Sequence, residues 1–148
     1  MAKEKNAHYV DNKKFFAEIK VWKEVWDTAV IAGDPKPRCP HYLGECFVKI
    51  SNHLAYKSNF VNYTFRDEMI LDGIENCLRY ADRFNPEKSS NPFAYFTQIT
   101  YYSFIRRIKK EARQTETKLN YLASIDLQQL LDEIEGNSGN YEYLKWVQ

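Results

Sequence analysis

The stretch Asn91–Arg113 constrains the fold more than any other part of the chain, because it predicts one long amphipathic helix. Asparagine followed by proline is typical of a helix start, since the asparagine side chain caps free amides and proline fits the first helical position. At about 100° per residue, the side that we expect to face a core holds Phe93, Thr97, Tyr101, Phe104 and Ile108. The opposite, exposed side holds Tyr95, Tyr102, Arg106, Lys109 and Arg113.

The exposed side of this helix mixes aromatic rings with cations. Such a surface suits unpaired nucleic acid, because rings stack on bases while arginine and lysine hold phosphates. The same pattern also fits a helix whose tyrosines are half-buried and whose basic end is merely solvated. The helix alone leaves both interpretations open.

Apolar residues recur at helical spacing along most of the chain, and a length of 148 residues fits one domain with a real core. The predicted helices cover residues 12–32, 41–57, 64–84 and 91–113. Gly33 is expected to end the first helix, and Thr64 with Asp67 to start the third as a capping box, after a short polar turn at 58–62. The third helix is expected to bury Ile70, Ile74, Cys77 and Ala81. The predicted fold class is all-α, a compact four-helix bundle.

The net charge of +1 hides an asymmetry along the chain. Residues 106–118 carry six lysines or arginines against two glutamates, whereas residues 119–148 carry five acidic residues against one lysine. Separated basic and acidic segments allow a nearly neutral protein to contact two unlike partners.

Two further segments are predicted beyond the bundle, a short acidic helix at 125–135 and a flexible linker at 137–140. The residues that follow the linker are rich in apolar and aromatic side chains, namely Tyr141, Tyr143, Leu144, Trp146 and Val147. Both a tethered docking peptide and a segment that folds back on the bundle fit this pattern, and the docking peptide is favoured. The chain is therefore predicted to comprise a helical domain (1–115), an acidic linker and helix (116–136), and a linker with a docking tail (137–148).

Composition and motifs argue against several classes of protein. No apolar run is long enough to span a membrane, and the N-terminus lacks the apolar segment of a signal peptide, so we expect a cytoplasmic protein without a membrane partner. The spacing of Cys39, His41, Cys46 and His53 matches no common zinc site, which favours buried or incidental thiols. Neither a phosphate-binding glycine loop nor a catalytic triad is evident, so we expect neither an enzyme nor a cofactor.

Residues 68–84, with the sequence EMILDGIENCLRYADRF, resemble the second conserved region of bacterial sigma factors. In that family an acidic helix precedes an aromatic helix that is rich in arginine, and the distance from Asp72 to the aromatic helix agrees within one residue. The match covers about residues 53–113. The resemblance implies a promoter-specificity subunit that binds bacterial core RNA polymerase and promoter DNA.

A closer resemblance is to the short sigma factors that serve late transcription in T-even-type phages. The shared runs are DGIE at 72–75, NPFAY at 91–95 and RIKKE at 107–111. Members of this group bind the DNA sliding clamp through a hydrophobic and acidic C-terminal tail. The resemblance implies a protein in the cytoplasm of an infected bacterium that recognises and helps melt a TATA-like −10 element. It leaves open whether a separate late co-activator is required.

The resemblance also implies which residues serve each partner. The acidic helix would contact a coiled coil of the largest polymerase subunit through Glu68, Leu71, Asp72, Glu75 and Leu78. The next helix would contact promoter DNA through Tyr95, Phe96, Ile99, Tyr101, Tyr102, Arg106, Arg107, Lys109, Lys110 and Arg113. The clamp would be bound by Tyr141, Tyr143, Leu144, Trp146 and Val147. The tandem tryptophans of the family fall on Ile99–Thr100 or on Tyr101–Tyr102, and this register stays open.

Two other functions fit parts of this pattern. A small helical protein that binds single-stranded nucleic acid without a polymerase would use the same aromatic and basic helix. A structural virion or adaptor protein would use the C-terminal tail. The acidic helix favours the sigma-type interpretation over the first alternative, because a protein that only binds nucleic acid gains nothing from carboxylates beside its DNA-binding face.

Overall fold

The computed structural model describes residues 9–124 together with Leu131 and Asp132, and every regular element in this part of the chain is helical. The elements are α1 (Asn12–Ala32), α2 (His41–Ala55), α3 (Arg66–Tyr80), a short 3₁₀ turn (Ala81–Arg83) and α4 (Pro92–Ser124). The prediction of an all-α, four-helix bundle is therefore confirmed for the described residues. The structure divides into two units after Ile108, and the first unit contains α1, α2, α3 and the proximal part of α4.

Two predicted helix ends are confirmed. Asn91 caps α4, because its Oδ1 accepts the amide hydrogen of Ala94 at 3.1 Å, and Pro92 occupies the first helical position. Gly33 ends α1 in the left-handed conformation, with φ 71°, and donates its N–H to the Val30 carbonyl at 3.3 Å. A side chain with a Cβ atom would be strained at this φ, so glycine allows the chain to leave the helix here.

Other predicted boundaries differ from the structure. α2 ends at Ala55, and α3 begins at Arg66 without the predicted capping box, since its N-cap Phe65 makes no side-chain hydrogen bond. The loop between them is held against the core by the buried Phe60 ring, which explains why neither helix extends into it. α4 continues beyond its predicted end as far as Ser124.

Phe96 of α4 lies at the centre of the core and is fully buried. Its ring centroid lies 4.7 Å from that of Phe47, 5.6 Å from that of Phe15 and 6.1 Å from that of Phe84. These three rings come from α2, from α1 and from the segment after α3, so one side chain joins three other parts of the bundle. The Phe84 N–H donates to the Ala81 carbonyl at 3.3 Å, which ends α3 in the 3₁₀ turn short of its predicted end.

The buried faces of α3 and α4 agree with the predicted faces at Cys77, Ala81 and Phe104, and lie one residue away from them at most other positions. Along α4 the buried residues are Pro92, Phe96, Thr100, Ser103 and Phe104, whereas Phe93, Thr97 and Ile108 are half-buried and Tyr101 is exposed. Along α3 the buried residues are Met69, Gly73 and Cys77, whereas Ile70 and Ile74 are half-buried. Both helices are therefore rotated relative to the prediction.

Close packing around Gly73 explains this rotation. A Cβ atom at Gly73 would lie 2.7 Å from Ser51 Oγ of α2 and 2.9 Å from Thr100 Cγ2 of α4. Gly73, Ser51 and Thr100 are small, so the three helix backbones approach closely here, and Gly73 and Thr100 lie inward where Ile74 and Tyr101 were expected. The spacing of large apolar residues therefore locates these helices without defining the rotation of each about its axis.

Candidate nucleic-acid interface

Tyr101 and Tyr102 lie exposed on the outer face of α4 within the first unit, at 42% and 51% of their full accessible area. Their rings meet edge to face, with centroids 5.7 Å apart and planes at 74°. Tyr101 also packs edge to face against the buried Phe60, at 5.8 Å. Arg106 follows Tyr102 by one helical turn and is exposed on the same side. Two rings and a cation are therefore available together to a ligand.

Tyr95, which the helical pattern predicts to be exposed, is half-buried. Its ring packs edge to face on Phe84 at 5.3 Å and on Phe96 at 5.0 Å. Burial raises the pKa of the Tyr95 phenol above its ordinary value. The rotation of α4 accounts for this position, so Tyr95 forms part of the core wall and is not a free stacking ring.

The expectation that Phe96 and Ile99 contact DNA does not agree with their positions. Phe96 is fully buried in the core, and Ile99 is half-buried against the same cluster. Neither side chain offers a free face to a base. Of the two registers for the tandem aromatic pair, the Tyr101–Tyr102 pair is exposed, whereas Thr100 of the other register is fully buried.

Arg107 and Asp72, expected to contact phosphate and polymerase respectively, form an ion pair with each other. Arg107 Nε and Nη2 donate to Asp72 Oδ2 and Oδ1 at 2.5 and 2.9 Å, which is the bidentate geometry of a strong pair. The two side chains are only 19% and 25% exposed. This pair holds α3 against α4, and it already engages both of the groups that the resemblance assigns to external partners.

Removing either partner of this ion pair is expected to destabilise the protein. We expect Asp72→Asn or Arg107→Gln to lower the free energy of unfolding by about 1–3 kcal/mol, since each change leaves a poorly solvated partner without its charge-assisted bonds. Urea unfolding of the two single variants and the double variant gives the coupling energy between the side chains.

The Glu75–Arg79 pair on α3 is a matched control for this cycle. It also joins a carboxylate to a guanidinium, at 2.7 Å, but its side chains are 64% and 60% exposed. Exposed pairs one helical turn apart contribute only about 0.3–0.5 kcal/mol. A coupling energy for Asp72–Arg107 no larger than that of the control would contradict the positioning role.

The outer face of α3 is both acidic and apolar. It holds the other four residues expected to contact the polymerase, and all four are exposed: Glu68, Leu71, Glu75 and Leu78. Leu71 and Leu78 are 65% and 46% exposed. Beside Leu78, a groove of about 580 Å³ opens between α2 and α3, with Val48 and Ile74 among its lining residues. This face offers a partner two carboxylates beside apolar side chains and a groove.

The second unit begins at Lys109 and includes the distal part of α4. The cations there that are expected to hold phosphates are all exposed, namely Lys109, Lys110 and Arg113. Leu119, Tyr121 and Leu122 are exposed as well. The distal part of α4 is therefore accessible to an anionic ligand.

Two expected features lie mainly outside the described residues. The first is the clamp-binding tail, with Tyr141, Tyr143, Leu144, Trp146 and Val147. The second is the acidic helix at 125–135, of which Leu131 and Asp132 are described. Both of these residues are helical and exposed.

The loop between α2 and α3 carries aromatic residues that the prediction of a polar turn overlooked. Phe60 is buried, and its ring centroid lies 5.3 Å from that of Phe104. Tyr56 and Tyr63 are exposed, and the Arg66 guanidinium lies 4.5 Å from the centre of the Tyr56 ring. The available signal was the density of aromatic residues, since residues 56–65 contain two tyrosines and two phenylalanines.

The three cysteines are free thiols, and burial raises the pKa of Cys77 to about 11. Cys46 is buried as well, and Cys39 is half-buried. Within the part of the chain that the structure describes, no group of three His, Cys, Asp or Glu side chains could hold a metal ion. The described helices include none that is long and apolar enough to cross a membrane.

Two comparisons with known proteins provide no evidence about function. A scan against protein-family models found no match, and a search of curated proteins found no significant match. The surfaces of α3, α4 and the loop between α2 and α3 are therefore the basis for any assignment of function.

Proposed function

We propose that this protein is a sigma-type promoter-specificity subunit that serves the late promoters of a T-even-type phage. It binds bacterial core RNA polymerase, recognises and helps melt a TATA-like −10 element, and couples to the DNA sliding clamp through its C-terminal tail. The observation that carries the proposal is the exposed Tyr101–Tyr102 pair, with Arg106 one turn further along α4.

Base stacking explains why this pair suits promoter melting. A base that leaves the duplex loses its stacking partners, at a cost of a few kcal/mol. Stacking on an aromatic side chain returns about 1–3 kcal/mol per base, so two exposed rings offset much of that cost. Arg106 supplies a cation for a phosphate or a base edge.

The outer face of α3 is the proposed contact with the polymerase coiled coil. Ion pairs from exposed carboxylates such as Glu68 and Glu75 would each contribute about 0.2–1 kcal/mol. Leu71 and Leu78 therefore have to supply much of the affinity as apolar anchors. Asp72 is left out of this contact, because its carboxylate is bound to an arginine of α4.

The exposed cations of the second unit complete the proposed DNA contacts. Lys109, Lys110 and Arg113 would hold phosphates, which adds affinity without sequence preference and makes binding weaker at high salt. Residues 141–147 are the proposed clamp contact, which the resemblance alone supports.

Shortening the leucines of α3 is expected to weaken polymerase binding. The wild-type protein should be retained by immobilised bacterial core RNA polymerase. Leu71→Ala combined with Leu78→Ala should reduce this affinity by about 10-fold or more, because two apolar anchors are truncated. Leu119→Ala combined with Leu122→Ala is the matched control, since these leucines are also exposed but lie in the second unit.

Equal losses in the two pairs of variants, or no loss in either, would contradict the assignment of polymerase binding to α3. Separate behaviour of the wild-type protein would support the alternative function, a small helical protein that binds single-stranded nucleic acid alone. In that case the wild-type protein would bind single-stranded DNA and would not be retained by core polymerase.

A further inference from the structure

We infer that the loop between α2 and α3, residues 56–65, is a second base-stacking site that binds unpaired DNA beside the Tyr101–Tyr102 pair. The inference rests on the proposed function, because it extends the same nucleic-acid surface. It assigns Tyr56 and Tyr63 to base stacking and the cations beside them to phosphate binding.

Phe60 joins this loop to α4. Its buried ring lies 5.8 Å from the ring of Tyr101 and 5.3 Å from that of Phe104, edge to face in both cases. The amides of Phe60 and Val61 donate to the Lys57 carbonyl at 2.9 and 3.0 Å, which holds the loop in a compact turn. The loop therefore packs on α4 next to the exposed tyrosine pair.

Two other rings of the loop are open to a ligand. Tyr56 is 58% exposed and Tyr63 is 37% exposed. Arg66 lies over the Tyr56 ring at 4.5 Å and also donates through Nη1 to the Val61 carbonyl at 3.3 Å. Its guanidinium is thus held on one face of the tyrosine, where it can meet a phosphate while a base stacks on the ring. Lys57 is exposed beside Tyr56.

The composition of the two segments that meet at Phe60 favours a nucleic-acid strand as the occupant. The chain has 20 Asp and Glu residues, yet none lies in residues 54–66 or in residues 88–108. Carboxylates begin only with Asp67 and Glu68 in the first turn of α3. The two segments that meet at Phe60 therefore contribute rings and cations and no carboxylate. A polyanion fits this composition better than a protein surface that carries charges of both signs. An unpaired strand fits better than a duplex, because only unstacked bases present a free face to a ring.

Fluorescence anisotropy of a labelled, short single-stranded DNA rich in adenine and thymine tests the loop directly, with the full-length protein free or bound to core polymerase. We expect Tyr56→Leu combined with Tyr63→Leu to reduce the affinity by about 10-fold or more, because leucine keeps apolar area but cannot stack on a base. Tyr56→Phe combined with Tyr63→Phe should retain wild-type affinity. Tyr80→Leu is the matched control, because Arg83 of the following 3₁₀ turn lies 4.8 Å from the ring of Tyr80, the last residue of α3, in a similar pair. It should leave the affinity unchanged.

Photo-crosslinking of the wild-type protein keeps the inference testable if a loop variant fails to fold. A strand that carries iododeoxyuridine in place of thymidine should crosslink to a base-stacked tyrosine on irradiation. Trypsin cuts after Lys57 and Arg66, so a crosslink at Tyr63 would be recovered on the peptide 58–66.

The outcomes separate a failure of this inference from a failure of the proposed function. Unchanged affinity in the folded leucine variants, or crosslinks confined to α4, would overturn the loop site. The proposed function would still be supported if the wild-type protein binds polymerase and opens promoters. A wild-type protein that neither binds the strand nor opens a promoter would overturn both. Loss of polymerase binding in place of strand binding would identify the loop as a protein contact and overturn the inference.

Discussion

Replacing Phe96 with alanine is expected to lower the free energy of unfolding by about 3–5 kcal/mol. The side chain is fully buried, and its ring contacts rings from α1, α2 and the segment after α3. Truncation therefore removes the apolar transfer energy of a phenyl ring and leaves a cavity where these elements meet. Such a loss is a large fraction of the stability of a typical domain, which is about 5–15 kcal/mol. Urea unfolding followed by circular dichroism measures the change.

Tyr102→Ala is the matched control, because it removes an aromatic ring from the exposed side of the same helix. Its effect on the free energy of unfolding should stay within about 0.5 kcal/mol, as for other surface substitutions. A Phe96→Ala variant with wild-type stability and impaired DNA binding would contradict the buried position. It would return Phe96 to the role of a base contact.

Replacing both Tyr101 and Tyr102 with leucine is expected to reduce promoter opening by about 30-fold or more, since two stacking contacts of about 1–3 kcal/mol each are lost. Permanganate reactivity of unpaired thymines, in complexes with core polymerase on an A·T-rich promoter, measures the open fraction. Retention on immobilised polymerase should remain at the wild-type level, because the proposed polymerase contact lies on α3. Leucine at position 101 keeps an apolar contact with Phe60, so the fold should survive.

Tyr121→Leu is the control for this double variant, because Tyr121 is 65% exposed and lies in the second unit. It should open promoters at the wild-type level. Normal thymine reactivity in the Tyr101→Leu, Tyr102→Leu protein would refute the proposed stacking role. Loss of opening together with loss of polymerase retention would show instead that the pair contacts the enzyme.

The ion pair between Asp72 and Arg107 links the two proposed surfaces. Asp72 lies on α3, whose outer face is the proposed polymerase contact, and Arg107 lies one residue after Arg106 on α4. Because the bidentate bonds hold α3 against α4, the two outer faces keep a defined relation within the first unit. The resemblance assigned both groups to external partners, and the sequence does not reveal that two residues 35 positions apart meet.

The loop between α2 and α3 shows a second limit of sequence patterns. Serine and asparagine at its centre suggested a polar turn, yet the buried Phe60 ties the loop to α4. Whether an aromatic residue in a loop is buried depends on the surface that it meets, which lies more than forty residues away at Phe104. The exposure of Tyr56 and Tyr63 follows from the same packing.

Local signals in the sequence determined where the helices of this protein lie, where α4 begins and where α1 ends. An asparagine–proline start and a glycine stop act through neighbouring backbone groups, so Asn91 and Gly33 are readable without tertiary information. Only the tertiary structure decided which sides of α3 and α4 face inward. The close approach at Gly73 leaves room for the small Thr100 side chain, and the rotation of α4 that turns Thr100 inward also places Phe96 in the core and leaves Tyr101 with Tyr102 outside.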